Sequence, residues 1–252
     1  MNEQRALQLL TAYFQEAGHT WHRIADELRT TFANMDDLSF AREKPATRFI
    51  LVWMRELKRY HSNFGSLFKR QKRPPVADDF TAAVALSLEQ FLAARGFPGM
   101  VRCEQTTHQE RGALRPDVSL RSPPSDSLVA TVECKSDLGW DRGDWRVKFQ
   151  ERTQKLQSAF PGCASYLCVL HKKDWDCNEK QWYCLCRFPP TRLGDVISDS
   201  DILAPIEPMF VDILARMHSA INQEFVSAFS KMSESDREKV LSDLKAQRAK
   251  SD

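Results

Sequence analysis

Apolar side chains recur three and four positions apart through the first seventy residues, the spacing of one helix face. Leu7, Leu9, Leu10, Tyr13 and Phe14 outline an amphipathic helix that ends near Gly18. Trp21, Ile24, Ala25 and Leu28 line a second, running from Thr20, whose hydroxyl is placed to cap it, to about Phe32. A third begins after Pro45 and carries Phe49, Ile50, Val52, Trp53 and Leu57, with Arg48, Arg55, Lys58 and Arg59 around its polar side. Lys69 to Pro75 reads as a linker, because Pro74 and Pro75 stop a helix. Beyond it, Phe80, Val84, Leu88 and Phe91 predict a helix from about Ala77 to Arg95, closed by Gly96.

The period then changes. Short apolar runs predict strands near Met100 to Glu104, at Arg115 to Leu120 and at Val129 to Lys135. A helix from Asp144 to Phe160 follows, closed by Pro161 and Gly162, and then strands at Ser165 to Leu170 and Gln181 to Phe188. This order predicts an α/β fold, a central mixed sheet flanked by helices. Three segments are expected: a helical region at 1–73, a core at 76–190 and a helical extension at 191–252. The N-terminal helices suit either DNA binding or dimerisation and packing.

The two middle strands carry charge where their pattern calls for none. Side chains alternate along a strand, so Glu133 and Lys135 point one way while Val132 and Cys134 turn to a core. On the preceding strand Asp117 shares a face with Arg115 and Ser119, and Val118 and Leu120 share the other. Two carboxylates on adjacent strands can hold a hard divalent cation, Mg²⁺ above all. A neighbouring lysine can orient a water and balance developing negative charge. The alternative is an exposed hairpin whose charges solvate one face.

Pro116-Asp117 and Glu133-Cys134-Lys135 resemble the PD-(D/E)xK nuclease superfamily, which includes many restriction endonucleases. The resemblance covers roughly Asp78 to Phe188. It implies a restriction-endonuclease-like core and a Mg²⁺-dependent endonuclease cutting DNA, with Mn²⁺ as a substitute. Asp117, Glu133 and the Cys134 backbone carbonyl are then the metal ligands, and Lys135 is the catalytic lysine. Such enzymes usually add an acid on the helix before the first strand, close to its first Phe. Here Thr81 follows Phe80, so Asp78, Asp79 and Glu89 are the substitutes, with Glu104 a further candidate. On the helix after the motif, Gln150, Arg152, Gln154 and Lys155 suit a scissile phosphate. Gln154 is preferred as a catalytic residue, one turn beyond Gln150. A restriction or phage-defence role follows from the resemblance, and a homodimer suits cutting both strands. The other reading is a catalytically inactive nuclease-like protein that binds nucleic acid or serves in assembly.

Composition narrows the setting. No stretch of the 252 residues approaches the length of an apolar membrane span. The opening Met-Asn-Glu-Gln-Arg has no basic stretch leading into an apolar run, so no signal peptide is expected. Seven cysteines, an odd number, point to a reducing, cytoplasmic setting. The formal net charge is only +2, yet Arg42 to Arg73 holds ten Lys or Arg against two acids. That segment either neutralises phosphates or forms a solvated helix face and a basic linker.

Other chemistries find less support. Cys163, Cys168, His171, Cys177, Cys184 and Cys186 invite a zinc site, but their spacings do not make a recognised pair of knuckles. Buried strand positions account better for Cys168, Cys184 and Cys186. The chain has no Gly-x-x-x-x-Gly-Lys-Ser/Thr loop, no Gly-x-Gly-x-x-Gly and no Gly-x-Ser-x-Gly. His108 and His171 are lone histidines, which more often serve structure than catalysis.

Overall fold

The computed structural model describes residues 3–67, 76–107, 113–123, 125–137, 145–176 and 179–248. The Lys69–Pro75 linker, His108, Asp144 and Cys177 lie outside them. Four helices come first: α1 (Glu3–Ala33), α2 (Asp37–Glu43), α3 (Pro45–Leu67) and α4 (Val76–Ala94). Then follow β1 (Val101–Cys103), β2 (Val118–Ser122), β3 (Ser127–Asp137), α5 (Trp145–Ala159), β4 (Ala164–His171) and β5 (Trp182–Cys186). Two short 3₁₀ turns lead to α6 (Glu207–Lys231) and α7 (Glu234–Arg248).

The strands form one sheet in the order β1-β2-β3-β4-β5. β1, β2 and β3 pair antiparallel, whereas β3, β4 and β5 pair parallel, so the sheet is mixed. The parallel strands need a long crossover, which α5 supplies between β3 and β4. β3 and β4 read as nearly continuous apolar runs because helices cover both faces. No helix among the described residues is long and apolar enough to cross a membrane.

One face of the sheet carries the main core. Val118, Leu120, Ala130, Val132, Cys134, Tyr166 and Cys168 meet side chains from α1 to α4 and α6 there. Phe40, Phe91 and Phe210 pack together at its centre, with ring centroids 4.6 Å apart for the stacked Phe40 and Phe91 and 5.6 Å for the tilted Phe91 and Phe210. Burying such a side chain is worth about 1.5–3 kcal/mol. On the opposite face α5 lays Trp145 and Phe149 over Leu167, Val169, Trp182 and Cys184. The expected segments 1–73, 76–190 and 191–252 therefore share a core, with residues from Leu28 to Met217 in one cluster.

Two expectations need correction. The predicted break near Gly18 does not occur, and α1 runs unbroken from Glu3 to Ala33. Gly18 has open space around it and no left-handed φ, so nothing there turns the chain. A glycine inside a helix costs only about 1 kcal/mol, too little to stop one without a cap. The first strand is also shorter than expected, because Glu104 takes a left-handed φ of 50° and ends it.

Most of the basic segment that is described has an internal task. Lys44 and Arg48 pair with Asp199 at 2.9 and 2.7 Å. Arg55 is buried and donates to the Gly194 carbonyl and, at 2.9 Å, to that of Asp195. Arg59 pairs with Asp195 at 3.3 Å. These side chains of α3 and its approach fasten the acidic turn before α6 and satisfy its carbonyls.

Candidate active site

The β2–β3 register builds the site. Val118 pairs with Val132, and one position beyond that pair come Asp117 on one strand and Glu133 on the other. Alternation then places Lys135 beside Glu133 and sends Val132 and Cys134 to the core. The structure brings Asp117, Glu133 and Lys135 together. The Lys135 ammonium donates to Glu133 Oε1 at 2.6 Å, to Asp117 Oδ2 at 3.2 Å and to the Cys134 carbonyl at 3.3 Å. Asp117 Oδ2 also accepts the Cys134 backbone N–H at 2.7 Å, which fixes its carboxylate against β3.

Burial sets the electrostatics. The side chain of Glu133 is 11% exposed, that of Asp117 26% and that of Lys135 41%. Burial pulls the Lys135 ammonium toward losing its proton, but the charges and hydrogen bonds of Glu133 and Asp117 together outweigh it. The net direction is upward from the ordinary lysine value. Lys135 is therefore held cationic in this arrangement, as hydrogen-bond donor and counter-charge to both carboxylates.

Glu133 Oε2 is buried without a hydrogen bond. The Arg152 guanidinium on α5 lies 3.1 Å from it, within ion-pair reach. The geometry is nonetheless not that of a hydrogen bond, and the same Nη2 donates at 2.7 Å to the Arg115 carbonyl. A buried oxygen lacking a donor is costly unless a charge or an ion compensates it. The donor set is oxygen only: two carboxylates and the Cys134 carbonyl. Those residues fit a hard cation that keeps several waters, as Mg²⁺ does. Among the described residues no group of three or more His, Cys, Asp or Glu side chains assembles.

The further acids proposed from sequence do not join this pair. Glu89 accepts from the backbone N–H of Gly99 and, at 3.1 Å, of Val101, and so fastens the turn from α4 into β1. Both of its carboxylate oxygens are thereby taken up by backbone N–H groups. Asp78 and Asp79 occupy the first turn of α4. Glu104 pairs with the Arg115 side chain, while its N–H donates to the Asp117 carbonyl at 3.0 Å.

Of the polar residues on α5, the structure brings Arg152 to the site rather than Gln154. Gln154 lines a cavity of about 910 Å³ with Gln150, Thr153, Tyr183, Asp212 and Arg216. Neither Asp117, Glu133 nor Lys135 lines it. The sequence held a signal for this. Phe149 and Leu156 are the buried stripe of α5, and position 152 falls on it, three residues after one and four before the other. A charged residue on a buried stripe needs a partner. Position 154 lies well around the helix from that stripe.

Three cysteines of the zinc reading, Cys168, Cys184 and Cys186, sit in the sheet. Cys168, Cys184 and Cys186 are buried, and burial pushes the thiols of Cys184 and Cys186 up to about 12. The Cys186 thiol donates to the carbonyls of Leu170 and Phe188 at 3.2 and 3.1 Å. His171 is partly buried, and burial and then the nearby Lys58 pull it below the ordinary histidine value.

No family model matches this chain, and no curated protein matches it. Among solved structures it is similar to one described as the native BbvCI A2B2 tetramer at low resolution. The TM-score is 0.30 and the identity 11%, over 77% of this chain and 95% of that one. At that score the likeness carries no argument about this chain.

Proposed function

We propose that this chain is a metal-dependent phosphodiesterase with a restriction-endonuclease-like core, acting on DNA. One observation carries the reading. Asp117, Glu133 and Lys135 meet where the start of β2 lies against the middle of β3, and one buried oxygen of Glu133 lacks a hydrogen bond. Asp117, Glu133 and the Cys134 carbonyl would hold Mg²⁺ or Mn²⁺. Such an ion supplies a Lewis acid for a phosphoryl oxygen and a hydroxide near neutral pH.

The chain's own residues supply the rest. The Cys134 N–H keeps the Asp117 carboxylate in one orientation. Lys135 stays protonated between two carboxylates and presents donors to an incoming water and to the negative charge that grows on phosphorus. Arg152 stands beside Glu133 with a planar fork of donors, a geometry suited to phosphate. One such site cuts one strand, so two copies acting together would cut both. A role in restriction or phage defence rests on the sequence motif.

The test is incubation of the purified chain with supercoiled, linear and single-stranded DNA, with Mg²⁺ and with a chelator. Cleavage that appears with Mg²⁺ and stops with chelator supports the reading. Intact DNA under all conditions, with the chain bound to it, selects a nucleic-acid-binding protein instead.

A further inference from the structure

Two cations on different elements share the Glu133 carboxylate. Lys135, on the same strand, takes Oε1 at 2.6 Å, and Arg152, on α5, stands 3.1 Å from Oε2. The two contacts differ in kind. Lys135 makes a hydrogen bond, whereas Arg152 places charge beside Oε2 and donates to the Arg115 carbonyl at 2.7 Å. That carbonyl lies two residues before Asp117, so Arg152 spans the gap between the lead-in to β2 and the acid of β3. Its side chain is 34% exposed against 11% for Glu133, so Arg152 is the more accessible of the two to water. Oε2 thus holds a counter-charge with no hydrogen bond to break.

We propose that Arg152 is an internal competitor for the divalent cation. It neutralises Glu133 while no such ion is bound and yields Oε2 when one arrives. The inference rests on the reading of Asp117 and Glu133 as a divalent-cation site. A positive charge that must be displaced weakens that site, so loading requires a higher ion concentration than the ligands alone would set. The released guanidinium is left within the site, where a phosphodiester is the anion to receive it.

The competitor differs in sign from a side chain that merely holds Glu133 in place. Removing a mere holder loosens the ligand and weakens metal binding, whereas removing a competitor strengthens it. The experiment is Mn²⁺ binding to the full chain, followed by calorimetry or by the resonance of the free ion. The charge removed is in near contact with a mostly buried ligand, so R152Q should bind Mn²⁺ about five- to tenfold more tightly than the unaltered chain. Lys155 is exposed on the same helix, one turn further on. K155Q removes the same charge there, and screening should hold its effect within about twofold. R152Q affinity equal to the unaltered chain, or weaker, overturns the proposal. If R152Q loses its helical circular dichroism, R152M refills the apolar stripe and carries the same expectation and the same refutation. E133Q separates the two layers of the argument. Mn²⁺ affinity unchanged in E133Q removes the cation site itself, and the role of Arg152 with it.

Discussion

Lys135 lies two residues after Glu133 on β3, and its ammonium stands 2.6 Å from the Glu133 carboxylate. Because both side chains leave one rigid strand on one face, their meeting needs no loop closure or domain movement. The Asp117 carboxylate completes the group from the neighbouring strand at 3.2 Å.

Lys135→Ala should lower the rate of DNA cleavage by about 10²- to 10³-fold, the usual loss for one preorganised donor at a developing charge. Lys135→Arg should not restore it, since the planar fork cannot occupy the place of a compact ammonium between two carboxylates. Rates of plasmid nicking, with circular dichroism to verify folding, check both. An alanine variant that nicks like the parent protein would remove Lys135 from the chemistry.

Glu207, at the start of α6, accepts the backbone N–H of Thr47 at 2.8 Å and its hydroxyl at 2.7 Å, deep in the core. Burial pushes its carboxyl above the ordinary value of 4.5, against the lowering effect of those Thr47 bonds. The folded chain therefore holds this proton to higher pH than the unfolded chain. The stabilisation from that difference is full below about 4.5 and is lost as pH rises through the raised value. Denaturant unfolding across this range should show the parent chain losing stability relative to Glu207→Gln as pH increases. A difference between the two that stays constant with pH would contradict the assignment.

Arg95 ties the end of α1 to α4. It donates to the Phe32 carbonyl at 2.8 Å and the Met35 carbonyl at 3.1 Å, pairs with Asp37 at 3.1 Å, and lies 4.4 Å above the Phe91 ring. Arg95→Ala should cost about 2 kcal/mol, through helix-end carbonyls left without donors and a lost ring contact. Urea unfolding measures it. A loss under about 0.5 kcal/mol would show that solvent replaces these bonds without penalty.

Local periodicity made much of this fold legible. Phe80, Val84, Leu88 and Phe91 located α4, and Gly96 with a φ of 88° follows its end. Alternation along β3 by itself separates Glu133 and Lys135 from Cys134. Features that depend on distant partners were not legible. Nothing local shows that Asp195 and Asp199 occupy the basic side chains of α3 and its approach, more than a hundred residues earlier in the chain. Glu89 looks like any helix acid until the chain returns and offers it the backbone of Gly99 and Val101. The preference for Gln154 over Arg152 followed polar spacing. The apolar stripe through Phe149 and Leu156 decides which side of α5 meets the sheet.

The most direct measurement is the rate at which supercoiled plasmid is cut at saturating Mg²⁺ by the parent chain and by Asp117→Asn. Exchanging one carboxylate oxygen for an amide keeps the size of the side chain and removes a cation ligand. The account predicts chelator-sensitive cutting by the parent chain and a loss of at least about 10²-fold in the variant, with unfolding behaviour little changed. Equal cutting by the two proteins, or cutting that persists in chelator, would contradict it.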